Sequence, residues 1–435
     1  MVDIVKGQIM SVLRKNRTRM LLSALLLTLG VAVWHGLPAR GNTAKPVPSE
    51  ACPEPSRRVE GMAVPPSYPP DPDNAALLYY QAFLSCPKAD EPVDTQLRDF
   101  ADGKIALNKE IEGYVEGCRS AIKLAIAASE LRECDWGLRY SEGFSMILAH
   151  LAQIRTLGRI LIADARIMAS RGEHADALAR CVTVLKITRH VGDKTLISIL
   201  VGWAVEGTTY RCIQDLLGQM PGDLKALEQL RADLAALSRR PLSLKNSLQI
   251  EREVVLEQIK MEKVPDLLKD LDPNRSPEES MKLIKDYGGE AFLEQCRDHY
   301  SKFMASAMSI IESDASYAEA HQRLAEAFEQ PDKDQKNKKN EAMFTAAIAP
   351  AIGKVYGLMI KATTHANAVR TAVELYIAKG KTGRLPETLP AGLPKDLFSG
   401  EDFEYNKTEA GFILRCRGKD LDKDEIHQYE FKIPK

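Results

Sequence analysis

Glu206 is a candidate for acid–base chemistry, because it and Arg211 interrupt a helical stretch over residues 193–217 that is apolar nearly all round. Trp203 lies about one helical turn before it. A carboxyl group buried in such a helix has a raised pKa and can act as a general acid or base. The alternative is a structural carboxylate that pairs with an arginine or histidine of a neighbouring helix, which is the commoner arrangement.

Three more carboxylates, Glu251, Glu253 and Glu257, share one predicted helix over residues 246–261 with Arg252. Glu253 and Glu257 are one turn apart, so their side chains lie on the same face. Such spacing could help to hold a metal ion, but no histidine accompanies them. A solvated face with salt bridges is the other interpretation.

The histidines and glycines of the chain form no known catalytic motif. His150, His174 and His190 fall in one helical block without HExxH or HxH spacing, so structural or exposed roles explain them. The sequence contains no GxSxG, Walker A or GxGxxG element. We therefore predict no catalytic residues and no cofactor-binding residues.

An acidic turn near the end of the chain is the one candidate metal site. Asp420, Asp422 and Asp424 alternate along it, and alternating carboxylates can converge on Ca²⁺, which takes six to eight oxygen ligands. Lys419 and Lys423 interrupt the acids, and the EF-hand pattern is absent. A turn that only faces solvent is the alternative to a calcium site.

Composition limits the classes of function. An apolar content of 45% with 27% charged residues is that of a folded protein. A net charge of -1 argues against nucleic acid as a partner, because phosphate binding needs a concentrated basic surface. Eight cysteines show no zinc spacing. Cys118 and Cys134 flank a predicted helical hairpin and form a candidate disulfide if the chain is exported.

The stretch over residues 20–37 is uncharged and almost wholly apolar, and its length suits a transmembrane helix. Residues 1–19 are basic, which by the positive-inside tendency keeps them in the cytoplasm and exports the remainder. A cleaved signal peptide is the competing interpretation, but the apolar core is long and lacks a good small-x-small site. We expect a single-pass protein of the inner membrane with its bulk in the periplasm or an equivalent compartment.

Residues 38–74 are predicted to form a linker, which we call the tether. Nine of the 23 prolines fall between residues 41 and 74. Because proline lacks an amide donor and fixes φ, neither a helix nor a sheet is expected there. In extended polyproline geometry the tether would reach on the order of 100 Å from the membrane.

Residues 75–340 have helical periodicity throughout and predict an antiparallel helical array. In the most regular part, residues 146–187, apolar residues recur at three- and four-residue steps, and Gly172 is expected to end one helix before the next begins. The segment around Gly172 resembles the turn of a tetratricopeptide-like hairpin, although no repeat of fixed period is present. Residues 271–280 predict a loop followed by a capped helix start.

The last region, residues 341–435, predicts a long helix followed by a small β module. A helix is expected over 364–380, and three short strands are expected over 403–407, 411–416 and 427–433. The fold class is therefore mainly α, with a short antiparallel sheet in a C-terminal α+β module.

This C-terminal order resembles the end of the major pseudopilin of type II secretion systems. The residues that match its motifs are Gly383, Leu385, Pro386, Pro394, Asp396, Phe398, Gly400, Tyr405, Gly411 and Gly418, with Asp420, Asp422 and Asp424 in the position of its calcium-binding turn. The resemblance covers about the last 70 residues and implies the helix, the strand pair and the acidic turn.

Two departures separate the chain from a working pseudopilin. The sequence has no prepilin-peptidase motif, and the apolar segment at residues 20–37 lies far from the module. The whole layout also resembles uncharacterised envelope proteins of planctomycete-type bacteria. We expect an envelope scaffold that contacts the lipid bilayer through its N-terminal helix and binds other envelope proteins. An exported hydrolase that uses buried carboxylates and an accessory component of a secretion or pilus-like assembly are the alternatives.

Overall fold

The computed structural model describes residues 71–192, 194–220, 222–272, 274 and 276–433. In this part of the chain the protein is mainly helical, with a small three-stranded antiparallel sheet near the C-terminus, as the sequence predicts. The predicted transmembrane helix at 20–37, the basic segment at 1–19 and most of the tether lie outside the described residues.

The first group of helices covers the described chain up to residue 238. These helices are α1 (Ala75–Ser85), α2 (Glu91–Ala101), α3 (Lys109–Gly117), α4 (Arg119–Glu130), α5 (Ala149–Ser170), α6 (His174–Val191), α7 (Leu196–Leu217) and α8 (Leu224–Ser238). Asn74, Asp90 and Asn108 each precede a helix and accept a hydrogen bond from a backbone N–H of its first turn. Gly172 separates α5 from α6 at φ 83, a conformation that favours glycine, and confirms the predicted helix end.

The second group of helices ends at the sheet. It contains α9 (Leu244–Gln258), α10 (Val264–Leu271), α11 (Pro277–Asp286), α12 (Glu290–Ile311), α13 (Tyr317–Lys336) and α14 (Met343–Thr382). Ser276 begins α11 with a capping box, in which its hydroxyl accepts from the Glu279 amide and the Glu279 carboxylate accepts from the Ser276 amide. The predicted capped start is therefore confirmed.

The sheet has the order β1-β2-β3, with β1 (Glu404–Thr408), β2 (Gly411–Arg415) and β3 (Gln428–Lys432) all antiparallel. Each strand lies within one residue of its predicted limits. Phe412 and Leu414 of the central strand face the interior together with Phe431 of β3, which gives the sheet one buried face.

Two hydrophobic clusters form the interior of the described protein. The larger one joins α1–α8, the end of α12, α13, α14 from Tyr356 onward and the sheet. The smaller one gathers the first part of α7, α9–α12 and the first part of α14. Because α7, α12 and α14 enter both clusters, these three helices connect them.

The long helix α14 is apolar enough to resemble a membrane span. By length and composition alone, one helix of the described residues, Asn340–Thr382, could cross a membrane, and 64% of its most apolar stretch is buried inside the protein. The helix as a whole packs among α7, α8, α12 and α13. Burial of this kind is typical of the core helix of a folded protein.

Candidate functional site

The acidic turn between β2 and β3 is organised around Asp420, which is buried. Its Oδ1 atom accepts hydrogen bonds from the backbone amides of Asp422 and Lys423 at 3.0 and 3.2 Å. Its backbone pairs with that of Glu425. Asp420 therefore closes the turn through its own side chain, as aspartates at turn starts commonly do.

The other two predicted calcium ligands point to different partners. The Asp422 carboxylate lies 3.1 Å from Nε2 of His321 on α13, and the Asp424 carboxylate pairs with Lys419. The structure thus gives each of the three aspartates its own partner and does not direct them at one common point. Calcium binding by Asp420, Asp422 and Asp424 stays a prediction.

A different group at this turn does converge. Ligand atoms of Asp420, Glu425 and His427 lie within 4.8 Å of one another, the single group of this kind among the described residues. One imidazole with two carboxylates suits Zn²⁺ or Mn²⁺ better than Ca²⁺. However, His427 already spans both carboxylates, with Nε2 2.9 Å from Asp420 and Nδ1 3.4 Å from Glu425. In the observed arrangement one imidazole ring bridges the two carboxylates. The alternating aspartates alone could not have indicated His427.

Glu206 lies in the buried interface of α6 and α7, where it forms an ion pair with Arg189. The Thr188 hydroxyl donates to the same carboxylate oxygen at 3.1 Å. Burial, and then the negative charge of Glu206, raise the pKa of the neighbouring Tyr210. Glu206 thus has a guanidinium and a hydroxyl as partners, as in the second interpretation of the sequence, a structural carboxylate paired with a neighbouring helix.

The carboxylates of α9 do not form a joint site. Burial raises the pKa of Glu251, which is half-buried, whereas Glu253 is exposed and pairs with Arg252 at 2.7 Å. Hydrogen bonds from Lys260 and Lys263 lower the pKa of the nearly exposed Glu257 to about 2. Glu253 and Glu257 therefore belong to a surface face with salt bridges.

Sequence reasoning missed a hydroxyl–imidazole–carboxylate series at the junction of α12, α13 and α14. Oγ1 of Thr345 lies 2.9 Å from Nδ1 of His299, whose Nε2 lies 3.3 Å from Asp334. This order is that of a nucleophile, a base and an orienting acid. Thr345 has 0% exposure, however, so a substrate has no access to its hydroxyl. No sequence motif links these positions, and the series ties three helices together.

Trp136 lies at the centre of an aromatic cluster that uses two of the histidines. It stacks on His150 at 4.5 Å and on Tyr79 at 5.5 Å, and its indole N–H donates to the carbonyl of His190 at 2.8 Å. Tyr79 in turn contacts Nδ1 of His190 at 2.8 Å. Burial lowers the pKa of His150 to about 4. These histidines are therefore built into the core.

The cysteines pair differently from the sequence-based candidate. The neighbouring Cys86, and then burial, raise the pKa of the Cys118 thiol. Cys134 lies beyond the other end of α4, near Tyr79. The prediction of a Cys118–Cys134 contact is wrong because α4 packs on α1, so the end of α1 is brought to the α3–α4 junction.

Comparisons with known proteins give no relative. No family model matches the chain, and neither the curated proteins nor the solved structures contain a match. The resemblance to pseudopilins and to planctomycete-type envelope proteins rests on the motif residues alone and stays a prediction.

Proposed function

We propose that this protein is a single-pass envelope scaffold whose antiparallel helical body is exported and binds another membrane-bound protein. The apolar segment at residues 20–37, the basic residues before it and the proline-rich tether support the anchor. Glu206 and Glu257 each form ion pairs with cationic side chains, which supports a structural role for these carboxylates.

The observation that carries this proposal is an exposed apolar stripe on α1. Leu77, Tyr80 and Leu84 are spaced three and four residues apart, which places them on one side of the helix. Leu84 is 88% exposed, and Leu77 and Tyr80 are 49% and 40% exposed. Grouped apolar side chains on a surface commonly mark an interaction site.

The chemistry of α1 defines the partner. The helix carries no charged residue, so a strongly acidic or basic peptide gains nothing from it. Spacing of this kind fits an apolar helix that packs along the stripe. Because α1 directly follows the tether, we infer that the occupant is an apolar helix of a neighbouring envelope protein.

Photo-crosslinking tests the partner. A photoreactive amino acid is placed at Leu84 of the full chain in intact membranes, with a matched control at Lys123, an exposed position of α4. We expect an adduct from position 84 to apolar helical residues of one envelope protein, and none from position 123. An adduct to lipid alone, to a second copy of this chain, or equally from both positions would contradict the proposal.

Fractionation tests the anchor separately. The full chain is expected in the membrane fraction, with its body digested by protease added to spheroplasts and its N-terminal segment protected. Recovery of the full-length chain in the soluble cytosolic fraction would contradict the envelope assignment.

A second candidate, an accessory component of a secretion or pilus-like assembly, is favoured by the order of α14 and the sheet. The three strands follow the helix, and Tyr376 of α14 contacts Phe412 of β2 and the Lys432 carbonyl of β3, an order that the pseudopilin resemblance implies. Thermal melting with added Ca²⁺ tests this candidate, since a ligand selective for the native state raises stability. Stabilisation by Ca²⁺ that Asp422→Asn and Asp424→Asn abolish would support it, and identical melting with Ca²⁺ and with a chelator would contradict it.

A further inference from the structure

Cys181 and Cys212 face each other across the packed helices α6 and α7. Their sulfur atoms lie 3.7 Å apart, and both side chains are wholly buried. A disulfide has a sulfur–sulfur length of about 2.05 Å, so the two atoms need to approach by less than about 2 Å. Helix shifts of that size are small compared with the movement that unrelated cysteines would need.

Cys86 and Cys118 form a second pair of neighbouring cysteines. Cys86 ends α1 and is half-buried, whereas Cys118 is buried between α3 and α4. A Cβ on Gly117, the residue before Cys118, would lie 3.3 Å from the ring of Pro87, the residue after Cys86. The Tyr114 hydroxyl donates to the carbonyl of Pro87 at 3.2 Å, which holds the segment after Cys86 against α3.

We propose that the exported protein carries two disulfides, Cys86–Cys118 and Cys181–Cys212, formed by exchange with a disulfide-bearing oxidant. This inference rests on the proposed export, because disulfides persist in oxidising compartments and are rare in the cytosol. Its effect is to fix α1, the first helix after the tether, to the α3–α4 junction, and to fix α6 to α7.

The exchange begins at Cys86, since Cys118 is buried. The neighbouring Cys118 thiol lowers the pKa of the Cys86 thiol, and a thiolate is the attacking species. The Cys86 thiolate attacks one sulfur of the oxidant, breaks its disulfide and releases one half as a thiolate. The Cys118 sulfur, after losing its proton, then attacks Cys86 and releases the other half. Two protein thiols are oxidised, and the oxidant is reduced to two thiols that take up both protons.

Cys181 and Cys212 react by the same two steps but at a different time. Because both are buried in the finished core, a soluble oxidant reaches them only before α6 and α7 have packed. We therefore expect this disulfide to form during folding, and Cys86–Cys118 to remain open to exchange in the folded protein.

Peptide mapping of the full chain, purified from membranes after acid quenching and alkylation, tests the pairing. Trypsin places each relevant cysteine on its own peptide: residues 59–88, 110–119, 133–139, 181–186 and 212–225. We expect 59–88 linked to 110–119 and 181–186 linked to 212–225, with Cys134 alkylated on 133–139. Four alkylated thiols at the proposed positions, or a Cys118–Cys134 link, would overturn the inference.

Two variants test the Cys181–Cys212 link by its effect on thermal stability. Cys212→Ser should lower the thermal midpoint of the oxidised protein by roughly 5 °C more than that of the reduced protein, because only the oxidised protein loses a cross-link. Cys296→Ser, which removes a buried cysteine outside both pairs, should shift both midpoints equally. Equal shifts for Cys212→Ser in the two states would overturn the Cys181–Cys212 link.

The fractionation described above separates this inference from the proposed function. Alkylated thiols in an exported protein would refute the disulfides and leave the scaffold in place. If the chain proves cytosolic, the unfolded chain is refolded in an oxidised and reduced glutathione buffer. Formation of both links there would support the pairing by itself, and their failure to form would overturn it.

Discussion

Replacement of Asp396 should destabilise the β module strongly, because one buried carboxylate organises two segments of chain. Its Oδ1 accepts from the backbone amide of Phe398, and its Oδ2 accepts from the Ser399 hydroxyl and from the amides of Arg417 and Gly418, all at 2.7–2.9 Å. The side chain has no exposure. The turn after α14 and the segment after β2 thus share this single acceptor.

The magnitude follows from the three backbone amides. In Asp396→Ala each is left without its acceptor, at about 1–3 kcal/mol per buried group. Because some of these amides reach water after the change, we expect a total near 4 kcal/mol, which is about a 10³-fold rise in the local opening equilibrium. Asp396→Asn keeps one oxygen acceptor and loses the charge, so about half of that free energy is expected.

Hydrogen exchange measured by mass spectrometry provides the assay. Peptides that cover residues 411–418 should exchange about 10³-fold faster in Asp396→Ala and about 30-fold faster in Asp396→Asn, while peptides of α5 stay unchanged. Asp402→Ala is the matched control, since that side chain is exposed and only its backbone carbonyl bonds to Arg417. An acceleration below tenfold in Asp396→Ala, or one equal to that of Asp402→Ala, would show that the Asp396 carboxylate does not hold these amides.

Three further changes test other parts of the protein by urea denaturation. Arg189→Met should lower the free energy of unfolding by about 3–5 kcal/mol, because it leaves the buried Glu206 carboxylate unpaired. Adding Glu206→Gln should recover more than half of this loss. If the double variant recovers none of it, the ion pair is contradicted. Gly418→Ala should cost about 2–3 kcal/mol, since a Cβ there would lie 2.2 Å from the Phe398 backbone, and an unchanged midpoint would contradict that close contact. Burial lowers the pKa of His150 to about 4 from 6.5, so the unfolded state binds the proton first. The free energy of unfolding is therefore unaffected by His150 above pH 6.5. As the pH falls towards 4 it should drop by about 2 kcal/mol, after allowance for solvent screening. His150→Phe should flatten this loss, and an identical pH dependence would exclude His150 as its source.

Local signals in the sequence were enough for the elements themselves. The β-prone runs at 403–407, 411–416 and 427–433 became strands within one residue, because alternation and turn residues act over a few positions. Gly172 ended its helix and Ser276 began another for the same reason. Each of these features depends on neighbours only three or four residues away.

The partners of the candidate site residues needed the tertiary structure. Nothing local marks Arg189 as the cation for Glu206 or His427 as the bridge at Asp420, because those choices depend on which helix faces and turn atoms meet. For Cys118 the nearer cysteine in the predicted hairpin was the wrong partner. Helix packing, which spacing along the chain does not encode, decided the pairing.

The two hydrophobic clusters explain how a small β module packs onto a helical protein. Phe344 and Ile348 of α14 lie in the smaller cluster, while Val369, Val373 and the rest of its second half lie in the larger one. The sheet covers the larger cluster at the end of this helix, so the strands bury apolar surface that α14 would otherwise expose. A displacement of α14 would disturb both clusters together. The module therefore shares one hydrophobic cluster with α1, the helix that carries the apolar stripe.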